Sequence, residues 1–576
     1  MTTTYGSDVV IDVLRELDIE VAAINPGASF RGMHASLAHS GNPELVLSLH
    51  ENVAVAAAHG YAKSAGRPMA VFLHNLVGLQ SGSMGIFNAW ADQAPMLVIG
   101  GSGPADAAHR RPWIDWVHSA RLQSLVVRDY LKWDDQPVSL AALPESLGRA
   151  YEIASSVPHG PTYVSVDTGL QEKEMTKEEW AACRATTTAV TSANGPRTTI
   201  TVPEDTLDQV ADLLVRAERP VILADYTGRS EAGYDALKLL AEALACPVVD
   251  LMARHNLDNG HWADCTTLRE EVLADADVVL CLDLRDLNHG LGKTVHETHD
   301  HQPLVRPDAR IVSISTNQLL LRGFIDYSGP NPQVWDILAD TASCLPALVG
   351  MVGDRVGDRS ARREELTQRT EGVRERRIRP VDLDADATTD SLSRLVHEAV
   401  AMSGPWELAN GHMRGAVRAR WELSGFNAQL GQNVGAGLGY GMGVSIGAAL
   451  AHRGDDTMIV NLQNDGDLLY APSALWTAAR YELPVLTVMV NNRTYGQDRM
   501  HQTLMAKARG YALETASVGI DIDNPEVDFA GLARAQGVEA WGPLTTNDEV
   551  QAALARGTKI VRDERRPVLI DVVVPR

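Results

Sequence analysis

The sequence has few cysteines and no long apolar run, and each shortage excludes a class of protein. Its five cysteines are scattered over 576 residues and never form a CxxC pair or stand beside histidines at metal-ligand spacing. We therefore expect neither a disulfide framework nor a zinc site. No apolar stretch approaches the ~20 residues that span a bilayer, and the start, MTTTYGSDVV, has no charged region followed by an apolar one. Because no targeting segment is visible, the expected compartment is the cytoplasm.

Basic charge is also in short supply. The 51 Lys and Arg residues against 74 Asp and Glu residues give a net charge of −23. Since this surplus repels a phosphate backbone, nucleic-acid binding is not expected. With 45% apolar, 22% charged and only 5% aromatic residues, the composition fits a large soluble chain of several domains and excludes disorder as a description of the whole.

What the sequence does contain is a regular alternation of short aliphatic runs and longer helix-like stretches. This pattern indicates parallel sheets with helices on their faces. The predicted fold is α/β, with three consecutive doubly wound parallel-sheet domains at residues 1–180, 200–350 and 391–576 and a linker at 351–390. The Thr-, Ala- and Ser-rich stretch Ala181–Pro203 lacks periodicity and marks the first boundary, and the charged stretch Gly353–Pro380 indicates an exposed, partly helical linker.

Polar residues follow two strand-like runs of the third unit. Asp465 ends one run and Asn492 ends the next, 27 residues later, after an intervening helix. In a parallel sheet both side chains emerge at the carboxyl edge, where open α/β sheets bind ligands. An oxygen from each suits octahedral Mg²⁺ completed by backbone carbonyls, waters and phosphate oxygens. The alternative is that Asp-Gly and Asn-Asn are ordinary turns at strand ends.

A second constellation, LSLHENVAVAAAHGYAKSAG, places Glu51 after a strand and at the start of an apolar helix. By itself Glu51 is equally a first-turn carboxylate favoured by the helix dipole. Together the two constellations resemble the thiamine diphosphate-dependent 2-oxo acid decarboxylase and carboligase family, which includes acetohydroxyacid synthase, pyruvate decarboxylase and benzoylformate decarboxylase. The resemblance covers nearly the whole chain. Five further motifs similar to benzoylformate decarboxylase are Asn25–Gly27, Leu73–His74, Asn88–Trp90, Ser473–Ala479 and Thr494–Gly496.

The resemblance implies a pyrimidine-binding first domain, a middle Rossmann-like domain and a diphosphate-binding third domain. Glu51 matches the glutamate that hydrogen-bonds the aminopyrimidine ring, promoting the imino tautomer that removes the C2 proton of the thiazolium. Leu438 matches the apolar residue that props the cofactor into a V shape, although an ordinary core leucine is the alternative. The metal ligands implied are Asp465, Asn492 and the carbonyl of Thr494. The implied cofactor-binding residues also include Asn25, Pro26, Gly27, Gly466, Asp467, Tyr495 and Gly496.

Near the metal motif the sequence departs from the family pattern. Asn464 stands where the family usually has glycine, and because asparagine tolerates positive φ best among the other residues, we expect the turn to be kept. Asp467 adds negative charge near a diphosphate. It either faces solvent or weakens cofactor affinity.

Two histidines are candidate acid–base groups. His74 lies 23 residues after Glu51 and matches an active-site histidine of benzoylformate decarboxylase, although a histidine at a strand end is often structural. His289, in LRDLNHG, falls where that enzyme has its second catalytic histidine.

The expected substrate pocket departs from that of benzoylformate decarboxylase. Ala28 and then Ser29 follow Asn-Pro-Gly, where that enzyme has a serine directly. Gln497, Asp498 and His501 replace an apolar, aromatic region. Because a pocket lined with polar groups rejects an unfunctionalised ring, benzoylformate is not the favoured substrate.

The resemblance also implies a homodimer or homotetramer in which Glu51 acts across a subunit boundary. The apolar helices at Val53–Tyr61 and Gly435–Leu450 are the kind of surface expected there. Trp113, Trp116 and His118 either line the approach to the site from a neighbouring subunit or form a partly buried aromatic cluster. The middle unit has no GxGxxG, so FAD is not expected.

The predicted function is thus a thiamine diphosphate- and Mg²⁺-dependent lyase or carboligase acting on a small 2-oxo acid. A 2-hydroxyacyl-CoA lyase or oxalyl-CoA-type decarboxylase is an alternative, for which the tail RDERRPVLIDVVVPR is the one candidate basic cluster. A catalytically silent homologue is the other alternative. Loss of the glutamate would be its signature, and Glu51 is present.

Overall fold

The computed structural model describes residues 3–192, 199–295, 298, 300–320 and 334–576. These residues form three parallel sheets with helices on both faces, which confirms the predicted fold class. Among them, no helix has both the length and the apolar character needed to cross a membrane.

The first unit is a six-stranded sheet in the order β2-β1-β3-β4-β6-β5, with every pairing parallel. Side chains alternate between its faces: Ile24 and Phe72 pack on one face, while Ala23 and Leu73 pack on the other. The strands are β1 Val21–Ile24, β2 Glu44–Leu47, β3 Met69–Leu73, β4 Met96–Ser102, β5 Trp133–Asp135 and β6 Pro161–Asp167.

Eight helices cover this sheet among the described residues. They are α1 Gly6–Glu16, α2 Arg31–Ser40, α3 Glu51–Ala65, α4 Val77–Ala91, α5 Ile114–Val117, α6 Leu143–Ser155, α7 Thr168–Glu172 and α8 Lys177–Ser192. Helix α8 runs into the stretch in which the sequence indicated no periodicity, so that stretch is helical up to residue 192. Its threonines satisfy their hydroxyls on helix carbonyls, as Thr187 does on Cys183, which lets a Thr-rich segment remain helical.

The middle unit has a five-stranded parallel sheet in the order β13-β12-β9-β7-β8 and a two-stranded antiparallel ribbon, β10-β11. Its strands are β7 Pro220–Ala224, β8 Val248–Asp250, β9 Val278–Leu282, β10 Gly292–Thr294, β11 His301–Pro303, β12 Arg310–Ser315 and β13 Val334–Leu338. Its helices are α9 Glu204–Arg216, α10 Glu231–Leu244, α11 Arg269–Asp275, α12 Leu287–Leu291, α13 Thr341–Gly353 and α14 Ser360–Arg377. The charged stretch expected as a linker is largely α14, which lies on the middle unit through buried Leu366 and the Arg219–Glu365 ion pair.

The third unit has a five-stranded parallel sheet in the order β14-β15-β16-β18-β17. Its strands are β14 Trp406–Gly411, β15 Met458–Asn464, β16 Val485–Asn491, β17 Glu539–Leu544 and β18 Val568–Val573. Its helices are α15 Thr389–Ala401, α16 Arg414–Arg420, α17 Gly441–Ala451, α18 Asp465–Tyr470, α19 Ala474–Arg480, α20 Gly496–Arg509, α21 Phe529–Ala535 and α22 Asn547–Lys559.

Helices α3 and α17 join the first and third units. Both are buried almost throughout, and small residues let their backbones approach: a Cβ on Gly60 would lie 2.0 Å from the carbonyl oxygen of Val444, and one on Gly447 would lie 1.8 Å from that of Ala57. The sequence suggested these helices as subunit-interface surfaces. The structure corrects this, because each buries the other within one chain, and their apolar character needs no second subunit.

Candidate active site

The beginning of α3 and two neighbouring segments bring Glu51 and His74 together. Glu51 opens α3, and the His50 ring caps the helix by accepting the Asn52 N–H at 3.0 Å. Gly78, in the first turn of α4, leaves the space that both side chains use. A Cβ there would lie 2.8 Å from His74 Cβ and 3.1 Å from Glu51 Oε1. The carboxyl ends of β2 and β3 therefore place the two predicted catalytic residues side by side.

The surroundings of His74 keep its ring neutral and oriented. Its Nδ1 is 2.8 Å from Ser29 Oγ and accepts the Asn75 N–H at 3.0 Å, so the proton belongs on Nε2. Burial lowers the pKa of His74, the nearby His118 and Arg111 lower it further, and Glu51 acts in the opposite direction. The half-buried ring is thus a hydrogen-bond donor through Nε2 at neutral pH.

The Asn-Pro-Gly loop packs against the same histidine. A Cβ on Gly27 would lie 2.6 Å from His74 Cγ, so only glycine fits there. Pro26 and Ala28 are exposed and Asn25 is half-buried, whereas Ser29 is buried. The sequence suggested Ser29 as a substrate-pocket residue, but it lies behind the His74 ring, where it also accepts the Asn75 N–H at 2.9 Å.

His118 also lies next to His74, which the sequence did not predict. Its ring centroid is 5.5 Å from that of His74 in the same chain, with the rings at 73°. Its Nδ1 is buried and has no hydrogen-bond partner within the described ranges. Trp113 and Trp116 are 60% and 82% exposed. The tryptophans therefore do not form the partly buried aromatic cluster, and His118 lies beside His74 of its own chain.

At the third sheet the predicted metal ligands also converge. Strands β15 and β16 pair in parallel with Asn464 opposite Val490, so Asp465 and Asn492 leave the same edge of the sheet. Asn492 Oδ1 accepts the Thr494 N–H at 3.1 Å. Thr494 is buried and fixed by Asp521, which accepts its hydroxyl at 2.7 Å.

One oxygen of the buried Asp465 carboxylate is left without a partner among the described residues. Oδ1 accepts the Gly466 N–H at 2.8 Å, while Oδ2 is buried with no hydrogen-bond partner in the described part of the chain. Burial raises the pKa of Asp465, and the backbone N–H groups of Gly466, Arg493 and Thr494 oppose that rise. No group of three or more His, Cys, Asp or Glu side chains within the described ranges is placed to hold a metal. The predicted site is of another type, with one carboxylate, one amide and one carbonyl.

The glycines of this edge serve close packing. A Cβ on Gly466 would lie 2.5 Å from the Tyr495 ring, and one on Gly496 would lie 3.2 Å from Asn492 Nδ2. The backbone of residues 465–466 therefore sits against the segment that carries the second predicted ligand.

Asp467 has a clear role that corrects the sequence interpretation. It is buried, and its carboxylate accepts the N–H groups of Gly439 at 2.9 Å and Gly441 at 3.0 Å. Gln463 donates to it at 2.6 Å. The carboxylate thus holds the start of α17, and it neither faces solvent nor stands free beside a diphosphate.

Leu438 lies in a loop that ends at this helix start. Residue 438 is half-buried, and the loop contacts the first unit, since Asn52 Nδ2 donates to the Gly439 carbonyl at 3.3 Å. Asn52 follows Glu51, so the start of α3 and the Leu438 loop are neighbours within one chain.

His289 lies in a different place. It lines a cavity of about 520 Å³ at the carboxyl edge of the middle sheet, together with Arg269, Arg285 and Arg414. Burial lowers its pKa, and Arg269 and Arg285 lower it further. None of the other sequence-predicted site residues lines this cavity.

The predicted polar pocket residues are on the surface of α20. Gln497, Asp498 and His501 are exposed, and the first and last contact each other at 3.0 Å between their nitrogens. The argument that buried, unpaired donors would reject an apolar ring does not apply to exposed groups in the single chain.

Comparison with known proteins bears on the whole chain. Three family descriptions match it: "Thiamine pyrophosphate enzyme, N-terminal TPP binding domain" over residues 4–125, "central domain" over 207–321 and "C-terminal TPP binding domain" over 411–572. A benzoylformate decarboxylase of Pseudomonas aeruginosa is 26% identical over 92% of this chain and 91% of its own. A probable chloroplastic acetolactate synthase 2 of Oryza sativa subsp. japonica is 25% identical over 99% and 83%. The solved thiamine diphosphate-dependent 4-hydroxybenzoylformate decarboxylase of Rhodococcus jostii RHA1 shares the fold, with a TM-score of 0.76 over 99% of both chains at 20% identity.

Proposed function

The chain belongs to the thiamine pyrophosphate enzyme family, and we propose that it is a Mg²⁺-dependent lyase or carboligase that decarboxylates a 2-oxo acid and releases or transfers the resulting aldehyde unit. Its relatives carry the names of 2-oxo acid decarboxylases and acetolactate synthases, and the chain is an enzyme of this type. The observation that carries the proposal is the pairing of Glu51 with His74 at one sheet edge and the orphaned Asp465 oxygen at another.

The proposal assigns the first unit, residues 1–180, to the pyrimidine end of the cofactor and the third, residues 391–576, to the diphosphate end. The middle unit and the linker occupy 200–350 and 351–390. When bound, thiamine diphosphate would supply a nucleophilic carbon for the substrate carbonyl and an electron sink for the loss of CO₂. Asp465, Asn492 and the Thr494 carbonyl would hold Mg²⁺ against the diphosphate, and the buried, unpartnered Asp465 Oδ2 fits that charge. The remaining assigned cofactor contacts are Asn25, Pro26, Gly27, Leu438, Gly466, Tyr495 and Gly496.

The proton chemistry is assigned to residues of the first unit. Glu51 holds the proton exchanged with the aminopyrimidine edge. His74, neutral with its proton on Nε2, donates to the substrate's carbonyl or carboxylate oxygen. His118 stands beside it, and we assign it, rather than His289, as the second histidine of this site. Asp467 acts by holding the loop rather than by touching the cofactor.

The test is CO₂ release from a panel of polar and apolar 2-oxo acids, with and without thiamine diphosphate and Mg²⁺, and with mass analysis of the products. We expect turnover that requires both additions and is lost in Glu51→Gln. His289→Ala serves as the control and should keep turnover within about twofold, whereas His118→Ala should lose about 100-fold. Cofactor binding without turnover of any 2-oxo acid would refute the proposed substrate class.

We propose further that two chains associate around this site, as a dimer or as a dimer of dimers. Apolar side chains beside His118 are exposed in the single chain, at 82% for Trp116, 51% for Leu122 and 57% for Leu125. An exposed apolar strip of this kind marks a protein interface. Light scattering of the purified protein measures the oligomeric state, and a monomer at micromolar concentration would refute the association.

Mixing two inactive variants tells whether one site uses two chains. In coexpressed Glu51→Gln and Asp465→Ala chains, random pairing leaves about a quarter of the sites intact if each site combines two subunits, and none if each site lies within one chain. We expect about a quarter of wild-type activity. Activity at the level of either variant alone would place the whole site in a single chain.

A further inference from the structure

The peptide before Leu438 is held by a side chain of the first unit. Asn88 lies near the end of α4 and is buried. Its Oδ1 accepts the Gly437 N–H and its Nδ2 donates to the Gly437 carbonyl, both at 3.0 Å. One amide side chain therefore satisfies both backbone groups of the residue that precedes Leu438.

The residue after Leu438 is fixed as well. The Gly439 N–H donates to Asp467 at 2.9 Å, and its carbonyl accepts from Asn52 at 3.3 Å. Gly439 has φ +82°, a conformation that favours glycine. Leu438 is thus held between two anchored neighbours. Gly437 is held by Asn88 of the first unit and also by Asn433, whose Nδ2 donates to the Gly437 carbonyl at 2.9 Å.

A side chain on either neighbour would crowd the residues that surround the loop. A Cβ on Gly437 would lie 2.3 Å from Met84 Sδ and 2.7 Å from Asn88 Oδ1, and one on Gly439 would lie 2.9 Å from Asn52 Nδ2. Leu438 is consequently the single side chain that this stretch projects, and its direction depends on where Asn88 and Asp467 hold the backbone.

We propose that Asn88 is a positioning residue, which sets the placement of Leu438 under the cofactor from the first unit of the same chain. The inference rests on the proposed function, because Leu438 matters only if the cofactor lies against it. Its consequence is that docking of the first unit onto the third shapes the cofactor support before any partner chain contributes.

If Asn88 only stabilised the contact between units, its loss would lower stability without affecting the bound cofactor. Tyr226 offers the matched control for this alternative. Its hydroxyl donates to the Ala91 carbonyl at 2.6 Å, so it joins the middle unit to the end of the same helix without touching the loop. Tyr226→Phe removes one buried inter-unit hydrogen bond, as Asn88→Ala removes two.

The experiment measures hydrogen–deuterium exchange at C2 of thiamine diphosphate bound to the full-length protein with Mg²⁺, by acid quench and NMR. The cofactor-induced rise in melting temperature reports binding separately. We expect Asn88→Ala to keep that rise and to slow C2 exchange on the order of tenfold to a hundredfold. Tyr226→Phe should lower the melting temperature of the free protein and leave exchange unchanged.

A double-mutant cycle shows whether Asn88 acts through Leu438. In the Leu438→Ala background, Asn88→Ala should slow exchange no further, since the side chain that it positions is gone. Three results would each overturn the inference. They are additive slowing of exchange in the double variant, exchange at the wild-type rate in Asn88→Ala, and slowing in Tyr226→Phe equal to that in Asn88→Ala. If Asn88→Ala does not fold, Asn88→Asp replaces it, because aspartate keeps the acceptor for the Gly437 N–H and loses the donor to the Gly437 carbonyl. Exchange at the wild-type rate in Asn88→Asp would likewise overturn the inference.

This readout needs no substrate, so its failure is distinct from that of the proposed function. Normal wild-type exchange without turnover of any 2-oxo acid would refute the substrate class and leave the Asn88 inference standing. Wild-type protein that neither binds the cofactor nor exchanges its C2 hydrogen would refute both.

Discussion

The fully buried ion pair between Lys63 and Asp92 gives the sharpest stability prediction. The two side chains are 0% and 1% exposed, with 2.8 Å between Nζ and Oδ2. Burial lowers the pKa of Lys63 to about 8, so the ammonium is still charged at pH 7. Burial would raise the pKa of Asp92, but Lys63 and His59 outweigh it and hold the carboxylate ionised. Lys63→Met keeps the apolar stem and leaves this carboxylate without its counter-ion.

The expected cost follows from these distances. The gross attraction at 2.8 Å is about 6 kcal/mol at an effective dielectric constant of about 20, and the measured cost of breaking a buried pair is about 3–5 kcal/mol. His59 Nε2 at 3.0 Å and the Val434 N–H at 2.6 Å stay with Asp92, so we expect the lower end, about 3 kcal/mol. Because Lys63 lies in α3 and Asp92 directly follows α4, we expect the loss of stability to appear first in these two helices.

Native-state hydrogen exchange of α3 and α4 amides is the assay, and a loss of about 3 kcal/mol speeds exchange on the order of a hundredfold. Asp92→Asn combined with Lys63→Met should recover part of the loss, since the carboxylate that lost its counter-ion is removed as well. Lys132→Met is the control, because Lys132 is half-buried and bonds carbonyl and hydroxyl oxygens in place of a carboxylate, such as the Ser156 carbonyl at 2.7 Å. Unchanged exchange in Lys63→Met, or a double variant that is worse than either single one, would refute the reasoning.

Two further predictions concern pH and close packing. Burial alone would lower the pKa of His452, but its bonds to Glu407 and Asp455 raise it to about 9, so its contribution to stability is complete below about pH 6.5 and is lost as pH rises through about 9. Urea denaturation from pH 6 to 10 should show that His452→Gln lowers the free energy of unfolding at the acid end and leaves it unchanged at the alkaline end. A difference between variant and wild type that stays constant with pH would contradict the raised pKa of His452. Gly78→Ala should abolish turnover because its Cβ would lie 2.8 Å from His74 Cβ, whereas Gly372→Ala, with open space around it in α14, should leave turnover unchanged and stabilise the helix by roughly 0.5–1 kcal/mol. Full activity of Gly78→Ala would mean that His74 is not held where the structure has it.

The sequence could predict the sheet edges because strand order along the chain carries that information. The aliphatic runs before Glu51, Asp465 and Asn492 identify strands, and parallel strands place whatever follows them at one edge. The strand before Glu51 ends at Leu47, so Glu51 follows that strand by four residues.

Residue roles that depend on long-range contacts could not be predicted. Ser29 lies 45 residues from His74, and Asn88 lies 349 residues from Gly437. No local pattern distinguishes a serine that faces a substrate from one that lies behind a histidine. Asp467 could be read only as excess charge, because its partners Gly439 and Gly441 come from another element.

The sequence by itself determined the α/β architecture, the strand ends that carry Glu51, His74, Asp465 and Asn492, and through its motifs the family resemblance. Periodicity and turn chemistry are local properties, so they are written along the chain. Tertiary structure alone decided that His118 stands beside His74 while His289 lines another cavity. It also decided that α3 and α17 bury each other within one chain, because such pairings follow from how three sheets pack rather than from any segment's own preference.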